Sequence, residues 1–296
     1  MKKVAIVTDG VCDLTKDMVE KYKIVTVPYR IIFDEDVYRI WHNENSSISL
    51  AEFNDRIGSV TKDNLPRTSL PSPGEFKQGF DEALENADSV IAVILTSGMS
   101  GAVQTAQSVV SNEFPDKDVA VFDSQQTMTG TGIQALVAAR MAADGKSKKE
   151  ILEKLEKLKP KVRTLFAMND LDYLEKQGRL GPIQNTKDAT AIPLIHMKDG
   201  ILQPLGIYKD EADLIEQMSA FGKQIMKNSE INDVFLTHIN HPDASKQIYD
   251  AMKENNPNGI NIHYYEAGAI LGVYSGPKTI SIGYIGDFDR SWVMKG

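Results

Sequence analysis

The sequence predicts an α/β protein of two domains. In the first half, short and continuous apolar runs alternate with helical patterns, which is typical of a parallel sheet with helices on both faces. In the second half, two strand patterns stand so close around Asp199 and Gly200 that they require a hairpin, so this half has a mixed sheet. A charged stretch with a proline at residues 157–161 separates the halves, which predicts an N-terminal domain at 1–160 and a C-terminal α/β domain at 161–296.

Composition limits the classes of function. The chain has 296 residues, 42% of them hydrophobic and 25% charged, as expected of a soluble protein. A net charge of −8 argues against nonspecific binding to nucleic acid or to an anionic membrane. The single cysteine, Cys12, excludes a disulfide within the chain and a cysteine-rich zinc site. The first apolar run is too short for a signal peptide, and no run is long enough to insert stably in a membrane, so we expect a cytoplasmic protein.

Elements of the predicted N-terminal domain follow from apolar patterns and capping residues. Ser72 with Glu75, and Ser147 with Glu150, form capping boxes that open two helices. Residues 34–49 are polar, and we expect them to be irregular, with Trp41 and His42 as loop residues that pack on the body. The predicted strands are 3–7, 24–29 with an extension to 33, 90–95 and 118–122, and the predicted helices are 15–22, 50–60, 73–86, 102–110, 126–144 and 148–159.

The predicted C-terminal domain begins with a strand and a short helix, followed by a turn at residues 178–182 that carries an exposed Arg179. Its predicted strands are 164–168, 192–197, 201–208, 233–239, 261–266 and 279–285, and its predicted helices are 171–177, 211–228 and 242–255.

A small, hydroxyl-rich turn at residues 96–101 connects a buried strand to a helix. Free backbone N–H groups and the positive end of the helix dipole lie at such a turn, and both favour a bound anion. Gly98 and Gly101 allow a ligand to approach the backbone. Capping of the helix by Ser97 or Ser100 explains the same residues without any ligand.

A second turn precedes the helix that begins near residue 73. The capping box accounts for Ser72 and Glu75, but it leaves the hydroxyl groups of Thr68 and Ser69 unexplained. Those hydroxyls can bond a ligand oxygen, although local turns use them more often. Ligands bind at the carboxyl ends of strands in parallel sheets, so the sequence predicts that both turns lie near one edge.

Three other kinds of site have less support in the sequence than an anion-binding site at these turns. A serine hydrolase would need G-x-S-x-G spacing, which residues 98–101 lack, and no spacing ties His238 to either serine. Gly130 and Gly132 match G-x-G-x-x-A for a nucleotide, but they lie inside a helical pattern. His238 and His241 have metal-like spacing without evident partners.

Taken together, the motifs resemble the DegV family of fatty-acid-binding proteins, and the resemblance covers nearly the whole chain. Each motif alone is weak, but their order and spacing are similar throughout. The matching segments are Val7-Thr8-Asp9 with Asp13-Leu14-Thr15, Thr68-Ser69-Leu70-Pro71-Ser72-Pro73, Thr96-Ser97-Gly98-Met99-Ser100-Gly101, Phe122-Asp123-Ser124 and residues 171–180.

The resemblance implies a long-chain fatty acid, such as palmitate, as the ligand, with no cofactor and no catalytic turnover by this chain. It implies that Thr68 and Ser97 hold the carboxylate, with contributions from Ser69, Ser100 and the backbone N–H groups around Gly98. The acyl chain would lie in an apolar tunnel between the domains. The family includes binding subunits of bacterial fatty acid kinase, so a kinase subunit is an expected partner.

Three positions depart from the family pattern. Leu70 replaces a glutamine, and residues 206–211 replace an arginine-rich run. Tyr274 replaces a histidine that reaches the carboxylate, so the resemblance implies that Tyr274 is a further residue of the carboxylate site. Histidine and arginine can support the negative charge of phosphoryl transfer, whereas tyrosine cannot. Arg179 remains as a candidate for that support.

Overall fold

The structure is a computed structural model that describes residues 3–43, 45–61, 64–181, 183 and 190–293. None of the helices in these ranges combines the length and the apolar character needed to cross a membrane. Pro182, the last residue of the predicted turn after the short helix, lies outside the described residues.

The strands are numbered in chain order. They are β1 Val4–Asp9, β2 Val25–Val27, β3 Tyr29–Phe33, β4 Asp36–His42, β5 Asn45–Ser46, β6 Arg67–Ser69, β7 Ser89–Ile94, β8 Asp118–Asp123, β9 Val162–Met168, β10 Ile192–Lys198, β11 Ile201–Tyr208, β12 Asp233–Ile239, β13 Asn261–Glu266 and β14 Thr279–Ile285.

The helices are numbered in the same way. They are α1 Lys16–Tyr22, α2 Leu50–Ser59, α3 Pro73–Glu85, α4 Ala102–Glu113, α5 Thr129–Ala143, α6 Lys148–Leu158, α7 Asp172–Lys176, α8 Glu211–Asn228, α9 Pro242–Glu254 and α10 Ala269–Ser275. Both predicted capping boxes are present, at the first turns of α3 and α6.

Within the described residues, the strands form three sheets. A parallel sheet has the order β2-β1-β7-β8, and a mixed sheet has the order β11-β10-β9-β14-β12-β13. In the mixed sheet β10 and β11 form the predicted hairpin, and β12 pairs with β13 in parallel. The predicted α/β class, with a parallel sheet followed by a mixed sheet, is confirmed. The boundary at residue 160 stays a prediction.

The third sheet was not predicted. It is antiparallel, with the order β5-β4-β3-β6. The prediction that residues 34–49 are irregular is therefore wrong, and Trp41 and His42 lie in a strand and not in a loop. Polar and charged residues are frequent in β4 because much of it is exposed, while Ile40 and His42 point into the protein. Such a strand lacks the long apolar run by which the other strands are recognised.

Helix α5 connects the parallel and mixed sheets. It contacts β1 and β7 of the parallel sheet and β9 and β14 of the mixed sheet. Its residues 129–139, apart from Val137, are buried, including the polar side chains of Thr129, Thr131 and Gln134, because the helix lies between the two sheets. The largest hydrophobic core draws residues from both halves of the chain, and the cavity described below lies within it.

Candidate functional site

A cavity of about 140 Å³ opens among residues from both halves of the chain. By the usual requirement of roughly 10–15 Å³ for one water, it has room for on the order of ten water-sized groups. Its lining combines several polar side chains with a larger number of apolar ones. This combination suits a ligand with one polar group and a hydrophobic body.

Two pairs of hydroxyl groups form the polar part of the lining. Thr68 Oγ1 lies 2.5 Å from the phenol oxygen of Tyr274, and Ser100 Oγ lies 2.9 Å from the phenol oxygen of Tyr29. All four residues line the cavity. They belong to β6, α10, the turn before α4, and β3, so three separate segments of the first half meet one helix of the second half.

Each pair of hydroxyl groups has one O–H donor that is not used within the pair. Within a pair of hydroxyl groups one O–H bond is used between the partners, and the other is free to donate outward. Two pairs therefore offer two O–H donors to a group in the cavity. A carboxylate has two acceptor oxygens, so this part of the cavity is suited to hold one.

Arg179 adds a positive charge to the same cavity. It is half-buried, and its Nη1 contacts the backbone oxygens of Gln177 and Gly178 at 3.4 and 3.3 Å. These contacts are long, and they leave most of the guanidinium donors for another acceptor. Arg179 therefore provides a cation to complement an anionic headgroup.

The other walls of the cavity are apolar and come from both domains. Methionine is common among them, and its flexible side chain adapts to the shape of a ligand. The apolar lining residues are Val11, Leu70, Leu95, Met99, Met128, Phe166, Met168, Leu174, Leu202, Ile270 and Leu271.

A buried carboxyl group lies beside the polar part of the lining. Asp9, at the end of β1, accepts hydrogen bonds from the N–H groups of Val11 and Leu95, at 3.1 and 2.9 Å. Burial raises the pKa of Asp9 to about 6, against the effect of these two bonds. Burial, followed by the charge of Asp9, also raises the pKa of Tyr29 well above its usual value, so the Tyr29 phenol stays neutral and can donate.

The structure does not place Ser97 in this cavity. Ser97 is exposed, and its hydroxyl donates to Asp123 Oδ2 at 2.5 Å while its N–H lies 3.3 Å from both carboxylate oxygens. Its partner is thus a side chain at the end of β8, and its predicted role in holding a carboxylate stays a prediction. Ser100, three residues further on, is the serine of this turn that lines the cavity.

Ser69 and Gly98 also have other neighbours. The Ser69 hydroxyl contacts the Leu70 carbonyl oxygen at 3.3 Å, since Ser69 follows Thr68 on a strand and points to the opposite side. Gly98 packs against the carbonyl of Gly200 in the β10–β11 hairpin, where a side chain would collide. Their predicted contributions to binding remain untested, whereas Thr68, Ser100, Tyr274 and Arg179 come together at the cavity.

The residues of the weaker alternatives have structural partners. His238 Nδ1 accepts the N–H of His241 at 3.4 Å, and both rings are buried. Gly132, inside α5, packs against the carbonyl of Cys12, so it allows close packing of the helix. In the described ranges, no group of three or more histidine, cysteine or acidic side chains is arranged to hold a metal ion.

Sequence reasoning missed Tyr29 and the helix α10. Tyr29 is a plain strand residue by pattern, and only the pairing of β3 with β6 brings its sheet to the cavity. The segment of α10 is short and apolar, and a pattern of this kind does not distinguish a helix from a strand. Thr68 was expected in a turn, but it lies on β6.

Comparison with known proteins agrees with this architecture. The model of the DegV family, described as uncharacterised proteins, matches residues 3–287. A DegV domain-containing protein of Caldanaerobacter subterraneus subsp. tengcongensis is 31% identical over 297 residues, which cover 95% of this chain and 98% of that protein. The chain belongs to the DegV family.

Solved structures with the same fold include two fatty acid binding proteins. The stearic acid-binding protein of Eubacterium ventriosum superposes with a TM-score of 0.81 at 26% identity, covering 97% of this chain and 98% of that protein. The fatty acid binding DegV family protein of Thermus thermophilus superposes with a TM-score of 0.82 at 24% identity, covering 96% and 100%. At the latter identity the likeness establishes the fold alone.

Proposed function

We propose that this protein binds one long-chain fatty acid, with the carboxylate at the hydroxyl pairs and the acyl chain along the apolar walls. The observation that carries the proposal is the meeting of Thr68, Tyr274, Ser100 and Tyr29 in a largely apolar cavity. The stearic acid binding described for the protein of Eubacterium ventriosum supports the same ligand class.

The acyl chain provides most of the affinity in this proposal. Each buried methylene contributes about 0.8 kcal/mol, whereas a hydrogen bond to a charged group contributes about 1.5–3 kcal/mol net. The headgroup contacts therefore set the orientation of the ligand. The cavity has room for on the order of ten water-sized groups, so a chain of sixteen or so carbons requires movement of flexible methionine side chains such as Met99 and Met168, or passage through the mouth.

Presentation of the ligand to a fatty acid kinase subunit is the second part of the proposal. It rests on the family resemblance and on the position of Arg179 in the same cavity. In this role the chain is a binding protein without turnover of its own, and it works in the cytoplasm. The Tyr29 and Tyr274 hydroxyls would orient the carboxylate, and Arg179 would be a cationic lining residue near the developing phosphate charge.

A serine hydrolase remains the competing function, but no observation favours it. The hydroxyl of Ser97 bonds Asp123, and that of Ser100 bonds Tyr29, so neither recorded partner is a histidine that could act as a general base. His238 contacts the backbone of its own loop.

The test is to identify the lipid that the protein carries. We expect denaturing mass spectrometry of the purified protein to release one equivalent of a long-chain fatty acid. Release of a shorter ester or of a phosphorylated lipid would contradict the proposal, as would a protein that neither carries nor takes up any fatty acid.

A matched pair of variants locates the binding site. Tyr274→Phe removes one hydroxyl at the cavity, and Ser97→Ala removes one hydroxyl outside it. We expect weaker retention of the fatty acid only for Tyr274→Phe. Equal loss in both variants, or loss in Ser97→Ala alone, would contradict the proposed position of the headgroup and place it at Ser97.

A further inference from the structure

Helix α10 is held by the first half of the chain at several points. Gly272 packs against the ring of Phe53 on α2, and Tyr274 pairs with Thr68 on β6. The helix carries three cavity side chains, Ile270, Leu271 and Tyr274. Its position therefore determines the shape of the cavity.

The start of α10 is held by a buried carboxyl group from the loop after β1. Asp13 Oδ1 accepts the N–H of Gly268, the residue before the helix, at 3.0 Å. The backbone oxygen of Asp13 also accepts the Tyr265 hydroxyl, at 2.5 Å. Asp13 has a left-handed backbone, with φ of 49°, and it is 4% exposed. A left-handed backbone and burial of an acidic side chain both cost free energy, so specific contacts must stabilise Asp13 in this position.

Two oxygen atoms at this contact lack a hydrogen-bond partner in the described part of the chain. They are Asp13 Oδ2 and Asn43 Oδ1, and both are buried. Both side chains lie beside Gly268, since a methyl group added to it would lie 2.9 Å from Asp13 Oδ1 and 3.6 Å from Asn43 Oδ1. The Asn43 amide nitrogen is engaged with the Glu266 carbonyl oxygen at 2.9 Å, so Asn43 presents an acceptor and not a donor.

We propose that Asp13 is a positioning residue for the binding site: in its protonated form it accepts the Gly268 N–H with Oδ1 and donates its proton to Asn43 Oδ1, which fixes the start of α10. A proton on Asp13 satisfies both unpartnered oxygens at once. An ionised Asp13 would leave both buried acceptors without a donor. The consequence for ligand binding rests on the proposed function, whereas the position of α10 does not.

The surroundings of Asp13 oppose its ionisation. On its own segment, Asp9 is occupied by two backbone N–H groups and Cys12 is a buried thiol. From β13, the carboxylate of Glu266 bonds Asn54, and from β4, His42 is buried. Lys16, on α1, is largely exposed. Burial raises the pKa of Asp13 to about 7, against the effect of the Gly268 bond.

The position of α10 should depend on pH. If α10 moves away, Asp13 meets water and ionises with its ordinary pKa of about 4. Raising the pH from about 4 to about 7 therefore favours the displaced helix, and the effect levels off above the raised pKa. Between about pH 5.5 and about pH 8, the opening equilibrium of α10 should increase about 30-fold.

Hydrogen exchange of the ligand-free protein tests the proposal without any fatty acid. We expect amides of α10, corrected for the intrinsic pH dependence of exchange, to show this increase in the wild type. Asp13→Asn is the matched control, because its amide keeps the acceptor for Gly268 and offers Asn43 a permanent donor. The variant should change by less than about twofold. A similar pH response in both proteins would overturn the proposal, as would no response in either.

Two further measurements keep the outcomes distinct. A carboxyl titration of wild-type Asp13 by carbon NMR should give a transition near neutral pH, and a transition below about pH 5 would overturn the proposal. Fatty acid affinity should be compared between the wild type and Asp13→Asn at each pH, because Asp9, whose pKa is about 6, responds to pH in both proteins. The wild type should lose more affinity than the variant toward pH 8, to the extent that the displaced helix becomes populated. If α10 responds to pH but no fatty acid binds, the proposed function fails while the role of Asp13 in positioning α10 stands.

Discussion

The two halves of the molecule are joined by polar contacts of two opposite kinds. At the cavity, Thr68 and Tyr274 form a pair of hydroxyl groups. At the first residue of β12, Arg140 from α5 holds Asp233 with two hydrogen bonds, through Nη1 to Oδ2 and through Nη2 to Oδ1 at 3.0 Å. His263 also bonds Asp233 Oδ1, at 2.7 Å. The second contact is a charged network around a fully buried carboxylate.

The difference separates stability from ligand binding. A neutral hydrogen bond contributes only about 1 kcal/mol net, so a ligand carboxylate can replace the hydroxyl pair at little cost. A buried carboxylate without its cation is far more costly. The charged network can therefore hold the halves together while the hydroxyl pair exchanges partners with a ligand.

The largest expected effect comes from breaking the charged network. Arg140→Ala leaves the Asp233 carboxylate buried with His263 alone, and we expect a loss of about 3 kcal/mol in the free energy of unfolding, measured with urea. Lys246→Ala, which breaks an exposed ion pair with Asp250, should cost less than about 0.5 kcal/mol. Fatty acid binding by folded Arg140→Ala should be unchanged. A loss of binding there would show that the two contacts are not separate.

The next largest expected effect is a fall in the free energy of unfolding at low pH. The bond to His263 and the contacts with Arg140 hold the pKa of Asp233 at about 2, against the opposing effect of burial. The folded state therefore favours the ionised form, and its stabilisation, about 2 kcal/mol, is present above about pH 4 and lost as the pH falls through about 2. Urea unfolding at a series of pH values measures it.

Arg140→Ala supplies the control for that acid dependence. Its slope of stability against pH should be smaller than that of the wild type in the same range. An identical slope in the two proteins would assign the acid dependence to other carboxylates.

The sequence allowed prediction of the sheets with apolar strands and of the helices with clear caps. Ser72 and Ser147 each cap a helix where predicted, because a capping box is a local interaction. The antiparallel sheet was missed because β4 is exposed and polar, and its pairing with β3 is a nonlocal contact. Short and exposed strands carry too few buried residues to leave a periodic pattern.

The residues of the candidate site were also predicted only in part. Thr68 and Ser100 belong to motifs that sequence reasoning selected, and both line the cavity. Ser97 belongs to one of those motifs as well, yet it bonds Asp123. A motif of adjacent hydroxyl residues does not say which of them faces inward, since that depends on how the turn leaves its strand. Tyr29 carried no signal because its role requires the third sheet.

A double-mutant cycle on the hydroxyl pair tests the cavity side of the comparison. Thr68→Val and Tyr274→Phe each remove one hydroxyl and change little in shape, and each should weaken fatty acid binding by about tenfold. Because the two groups share one hydrogen bond, the double variant should lose less than the sum of both changes. Unfolding free energies should fall by no more than about 1 kcal/mol. Additive losses in binding would mean that the two hydroxyls act on the ligand independently.

The smallest expected effect separates the two serines of the turn before α4. Ser100→Ala removes the partner of Tyr29 at the cavity and should weaken fatty acid binding by roughly three- to tenfold. Ser97→Ala removes an exposed hydroxyl that bonds Asp123, and the dissociation constant should stay within about twofold of the wild type. Titration with a fluorescent fatty acid measures both. If Ser97→Ala weakened binding as much as Ser100→Ala does, the turn would have to rearrange when the ligand binds, with Ser97 exchanging Asp123 for the ligand carboxylate.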